Sequence, residues 1–164
     1  MRMDLIQPFI NSADAVLAQA LQSPISIENL SMEEEAYRRK GVAAEVGLTG
    51  EIEGRIIFDV DLGTAVQLAS RLAGIAVSET DEDLVREAVC ELANQIIGNA
   101  VTTLNDRGFQ FKVHPPVFHA SREGLKGTED TEAIVLRFET EAGEVNVNIS
   151  MHYRSRRKDD AGRQ

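Results

Sequence analysis

The sequence predicts an α+β domain in which an antiparallel, hairpin-rich sheet is covered by long helices as a separate layer. Three observations carry this expectation. Apolar residues alternate on both sides of a short turn in two separate stretches, they recur at helical spacing in two long stretches, and 164 residues with 43% hydrophobic and 27% charged side chains suit one well-filled core. Residues 1–153 are expected to form that single domain.

The elements follow in order. Leu5, Ile6, Phe9, Ile10, Ala13, Val16, Leu17, Ala20 and Leu21 form one stripe of a first helix, with Pro8 tolerated in its first turn. A short extended piece, Ile25–Ile27, follows Pro24, and the charged stretch Met32–Lys40 reads as irregular or edge structure. Val42, Ala44, Val46 and Leu48 alternate before the Thr49-Gly50 turn and Ile52, Ile56, Phe58 and Val60 after it, which is a hairpin. Leu62–Leu72 returns to helical spacing as a short helix facing the sheet, with Gly74 as its stop.

A long helix is expected to open at Ser78-Glu79-Thr80-Asp81, whose capping groups and acids suit the positive end of the helix dipole, and to run to Leu104 before Asn105-Asp106-Arg107-Gly108. Pro115-Pro116 marks a rigid extended stretch between Phe111 and Phe118. A second hairpin alternates through Ile134, Leu136 and Phe138, turns at Glu141-Ala142-Gly143-Glu144, and returns through Val145, Val147, Ile149 and Met151. The polar tail Arg154–Gln164 has no apolar period and is expected to be disordered.

Composition narrows the function. A formal net charge of −10 opposes general binding to nucleic acid or an anionic membrane and favours a basic partner surface. Cys90, the single cysteine, excludes an internal disulfide and a cysteine-rich zinc cluster; its place in a patterned helix assigns it to the core. His114, His119 and His152 lack ligand spacing, so no metal site is expected. The N-terminus, Met1-Arg2-Met3-Asp4, opens with an early acid and no long apolar run, and a cytoplasmic location is expected.

At about 100° per residue, Leu84, Val85, Ala88, Val89, Leu92, Ala93, Ile96, Ile97, Ala100 and Leu104 fill a broad apolar arc of the long helix. Glu87, Glu91, Asn94 and Gly98 fall outside that arc on a strip about 60° wide. An acidic helix strip alone reads as a solvated face. Gly98 breaks the pattern, because glycine inside a helix costs roughly 1 kcal/mol relative to alanine. Tight packing of the helix within its own fold is the first explanation, and close approach of a partner beside Asn94 the second.

The segment Glu91-Leu92-Ala93-Asn94-Gln95-Ile96-Ile97-Gly98-Asn99-Ala100 resembles the E-x-x-N helix of the CheC/CheX/FliY phosphatases. Gly50-Glu51-Ile52-Glu53-Gly54-Arg55-Ile56-Ile57-Phe58 is similar to that family's glycine-rich strand, and Leu72-Ala73-Gly74 and Pro115-Pro116 extend the likeness over roughly Gly41 to Phe118. Glu87 stands where the family pattern often has Asp or Ser, and the spacing to the proline is slightly short. The first helix has Asn11 but Pro8 three positions before it, so the chain carries one motif where CheC-type members carry two. That points to the CheX branch and a CheC-like fold.

The resemblance implies hydrolysis of the aspartyl phosphate of a CheY-like response regulator. Asn94 is then the residue that orients the attacking water and Glu91 the one that pairs with a lysine of the regulator, with Glu87 and Gly98 on the partner-facing strip. No cofactor is expected in this chain, Mg2+ being held by the regulator, and a homodimer is expected. The alternative is a module that binds a phosphorylated regulator or a flagellar switch component without hydrolysis. An unrelated hydrolase using Glu87 and Glu91 as acid and base is disfavoured, because one helical face cannot flank a substrate bond from two sides.

Overall fold

A computed structural model describes residues 3–25, 30–121 and 133–153. Along the chain, α1 (Met3–Leu21) leads to β1 (Leu30–Glu35), and β2 (Val42–Gly50) and β3 (Ile52–Val60) form a hairpin. Two helices follow, α2 (Leu62–Ala73) and α3 (Glu82–Asp106), then the short β4 (Phe111–Val113) and β5 (Val117–His119), and finally the hairpin β6 (Ala133–Thr140) and β7 (Gly143–Tyr153). All seven strands join one sheet of order β1-β6-β7-β3-β2-β4, with β5 also on β2, and every pairing is antiparallel.

Both predicted hairpins are therefore present, and their alternating residues do what alternation requires. Val42, Ala44, Val46 and Leu48 of β2, Ile56, Phe58 and Val60 of β3, and Val145, Val147 and Ile149 of β7 enter one core with the helices. Gly54 permits the β3–β7 pairing: its φ is +150°, and a Cβ there would run into the Ser150 carbonyl oxygen. The Pro115-Pro116 segment separates β4 from β5, and both pair with β2. The ambiguous stretch after residue 30 supplies an edge strand, β1, which among the described residues pairs with β6 alone.

Helix α1 lies on α3, and the buried Ser12 hydroxyl donates to the Ile96 carbonyl at 2.7 Å. Gly74 closes α2 in the left-handed conformation at φ 71°, its N–H bonding to the Ser70 carbonyl. Two expectations need correction. Helix α2 packs chiefly on α3 rather than on the sheet, because its buried residues, Thr64, Ala65, Leu68 and Ala69, make a narrow stripe that fits beside a second helix. Helix α3 begins at Glu82 with Asp81 in the N-cap position, within the expected Ser78–Asp81 segment, but the Asp81 carboxylate accepts from the Ser78 N–H at 2.8 Å and makes no cap bond to the helix. The extended piece at Ile25–Ile27 falls mostly outside the described residues, as does the tail Arg154–Gln164.

The sheet face opposite the helices holds a polar cluster. Asp59 is fully buried there, and its carboxylate accepts from the Tyr37 hydroxyl at 2.8 Å, the Lys40 N–H at 2.6 Å and the Gly41 N–H at 3.1 Å. Arg39, buried beside it, donates to the Ser121 carbonyl at 2.7 Å. These bonds hold the 36–41 segment against the sheet. Burial is the largest influence on Asp59 and raises its pKa, against the bonds from Lys40, Tyr37 and Gly41, which lower it.

Candidate functional site

Helix α3 buries one side and presents the other. Val85, Val89, Leu92, Ala93 and Ile96 are nearly or fully inaccessible, whereas Glu87, Glu91 and Asn94 are exposed and Gly98 is half-exposed. The four residues of the predicted strip therefore lie together on the outward face. The Ser12 to Ile96 bond fixes the helix from behind, two residues from Asn94, so the strip is carried on a rigid support.

Each member has a distinct setting. Glu91 accepts a hydrogen bond through Oε1 from Gln95 Nε2 at 2.7 Å, an i, i+4 contact that aligns the carboxylate along the helix. The Asn94 side chain has no hydrogen-bond partner among the described residues, so both its donor and its acceptor are presented outward. At Gly98 a Cβ would meet nothing within 4 Å. Tight internal packing, the first explanation offered for this glycine, is therefore wrong: the neighbouring elements leave open space over the helix backbone there.

Three of the four strip residues, Glu87, Glu91 and Asn94, stand in one wall of a cleft of about 520 Å³ between α2 and α3. Leu72 and Ala73 line it from α2, and Leu84, Glu87, Glu91 and Asn94 from α3. Cys90 also reaches this cleft; it is half-buried against the core rather than enclosed by it, and burial pushes its thiol pKa up, against the opposing effect of Arg86. Arg86 itself pairs with Asp83 at 2.9 Å on the exposed surface, a contact of small energetic weight.

Sequence reasoning missed the α2 wall of the cleft. The available signal was Leu72-Ala73-Gly74-Ile75-Ala76, five consecutive exposed residues without a charge. It also missed the Asp59 cluster, for which a single acid in an alternating strand is little warning. The three histidines lie apart on polar partners: His114 with Thr49 at 2.8 Å, His119 with Glu45 at 3.3 Å and His152 with Glu53 at 3.3 Å. Among the described residues no three acids, histidines or cysteines gather as metal ligands, and no helix is long and apolar enough to cross a membrane.

Residues 42–139 match the family model of the chemotaxis phosphatase CheX. The chain is 34% identical to a chain of the CheX–CheY–BeF3–Mg2+ complex from Borrelia burgdorferi, with a TM-score of 0.72 over 92% of this chain and 99% of that one. A CheC-like superfamily protein from Shewanella sp. PV-4 aligns at 20% identity and a TM-score of 0.77, over 93% of this chain and 99% of the other. The chemotaxis protein CheX from Vibrio vulnificus aligns at 22% identity and a TM-score of 0.74, covering 90% and 99% of the two chains. A comparison with curated proteins found no match.

Proposed function

The chain belongs to the CheX chemotaxis phosphatase family, and on that premise we propose that it hydrolyses the aspartyl phosphate of a CheY-like response regulator, with Asn94 orienting the attacking water and Glu91 docking the regulator. The observation that carries this reading is the pairing of an outward Asn94 carboxamide, without a hydrogen-bond partner among the described residues, with Glu91 one turn before it on a helix fixed from behind by Ser12. The 34% identity to a chain of a complex containing CheY and BeF3 supports the choice of partner.

An aspartyl phosphate is an acyl phosphate with a good leaving group, so catalysis is mainly a matter of placing water in line with the departing carboxylate. A carboxamide can accept from that water and donate to a phosphoryl oxygen, and it brings no negative charge toward the phosphate. Mg2+ held by the regulator would neutralise phosphoryl charge from the far side. Glu91, with Oε1 held by Gln95, offers Oε2 to a basic group of the regulator, and the charge pair fixes the register of docking. Open space above Gly98 lets the partner's backbone come close to the helix beside Asn94.

A homodimer remains part of the proposal, since β1 and β4 end the sheet and a strand edge is a ready surface for pairing. Sedimentation equilibrium tests it. For the activity, the decay of a phosphorylated CheY-like regulator is followed with and without the protein. Faster decay is expected; binding of the phosphorylated form without acceleration would select the non-catalytic module instead.

A further inference from the structure

Ile75 is 60% exposed, the highest value among the large apolar side chains described, and Leu72, three residues earlier, is 40% exposed. Between and after them Ala73, Gly74 and Ala76 are exposed as well. A continuous exposed apolar run outside the buried core is the kind of surface that partner contacts use.

The run is held firmly. The Gly74 N–H closes onto the Ser70 carbonyl at 2.9 Å. Ser70 Oγ donates to the Val66 carbonyl at 2.9 Å and accepts from the Val77 N–H at 3.0 Å, while the Val77 side chain is buried. Arg71 donates to the Leu21 carbonyl at 2.7 Å and pairs with Glu141 at 3.0 Å. Leu72 and Ile75 are thus displayed outward by a turn anchored on both sides.

We propose that Leu72 and Ile75 form an apolar lip that seats an apolar patch of the response regulator's receiver domain, as the second half of the docking surface that includes Glu91 and Asn94. This rests on the phosphatase reading above. Leu72 lines the same cleft as Glu91 and Asn94, so a partner that reaches the pair also meets Leu72, and Ile75 lies three residues further along the same exposed run. The opposite wall carries Glu87 and Glu91, so the occupant that fits presents an apolar group flanked by basic ones. A second copy of this chain fits poorly, because a two-fold contact would bring the acids of two molecules, each of net charge −10, toward one another.

The test compares the unmutated protein, a Leu72→Ser/Ile75→Ser double variant and Glu91→Ala, using a BeF3-loaded regulator for affinity and the phosphorylated regulator for turnover. The double variant is expected to raise Kd and KM on the order of tenfold with kcat at saturation within about twofold, since the lip contributes binding but no contact at the reacting atoms. Its thermal midpoint should hold, because the exchanged side chains are exposed, so misfolding is separable. Unchanged affinity in the double variant, while Glu91→Ala weakens binding, would overturn the lip and leave the phosphatase reading standing. A self-association abolished by the double substitution, with regulator affinity intact, would overturn it in favour of a second copy. An unmutated protein that neither binds nor dephosphorylates such regulators would remove both readings together.

Discussion

Gln95 donates from Nε2 to Glu91 Oε1 at 2.7 Å, one helical turn along α3 and on the same exposed side. The bond occupies one carboxylate oxygen of Glu91, leaves the second outside it, and restricts the rotamers of the side chain. Gln95→Ala should therefore weaken regulator binding by about two- to fivefold through lost preorganisation, and Glu91→Ala by tenfold or more, as the partner's basic group is left unpaired. Isothermal titration with the BeF3-loaded regulator measures both; a Gln95 effect as large as that of Glu91 would give Gln95 its own contact with the partner.

Asn94→Ala should reduce the accelerated dephosphorylation rate by about 10² or more, the order seen when one transition-state hydrogen-bonding group is removed. Affinity for the BeF3-loaded regulator should change by less than about threefold, because water orientation contributes mainly in the transition state. Single-turnover decay and a binding isotherm test the two halves. Normal turnover by the alanine variant would take Asn94 out of the mechanism.

At Gly98 stability and function should part. A Cβ meets nothing there in the isolated chain, so Gly98→Ala should stabilise the fold by roughly 0.5–1 kcal/mol, raising Tm by about 1–4 °C. The same substitution should weaken regulator binding if the helix backbone is approached closely, and Gly98→Leu should weaken it further. Calorimetry and titration on the three proteins suffice. An unchanged affinity for the leucine variant would separate Gly98 from the docking face.

The Asp59 cluster predicts a pH dependence. Its carboxyl pKa is raised in the folded protein, chiefly by burial. The folded state therefore binds a proton that the unfolded state has released, and the contribution of Asp59 to stability is fullest below about pH 4 and declines as pH rises through the raised folded value. Denaturant unfolding of the unmutated protein and Asp59→Asn from pH 4 to 7 isolates this effect, since other groups cancel in the difference. The stability of the unmutated protein relative to the variant should fall as pH rises, and a flat or rising difference would contradict the assigned direction.

Tyr37→Phe probes the same cluster from its other side. It removes the hydroxyl that donates to Asp59 at 2.8 Å while keeping the buried ring. A loss of about 1–3 kcal/mol in unfolding free energy is expected, as the buried carboxylate loses a donor. Regulator dephosphorylation should be unchanged below the melting range, because the cluster lies on the sheet face opposite α3.

The sequence by itself determined the parts whose physics is local. Period-two alternation through Val42–Leu48 and Val145–Met151 specifies strands with one buried face, helical spacing from Leu84 to Leu104 specifies which side of α3 is core, and the E-x-x-N spacing of Glu91 and Asn94 then puts both on the outward side. Tertiary structure decided what depends on how elements meet. Whether Gly98 is crowded or open turns on the neighbours of α3, and no periodicity encodes the empty space above it. Leu72 reads as one more apolar position of a short helix; its exposure beside Asn94 follows from how α2 packs against α3. Asp59 sits in an alternating strand where a polar residue signals solvent, yet the returning 36–41 segment covers it and supplies its hydrogen bonds, a pairing across 18 to 22 residues that only the folded chain creates.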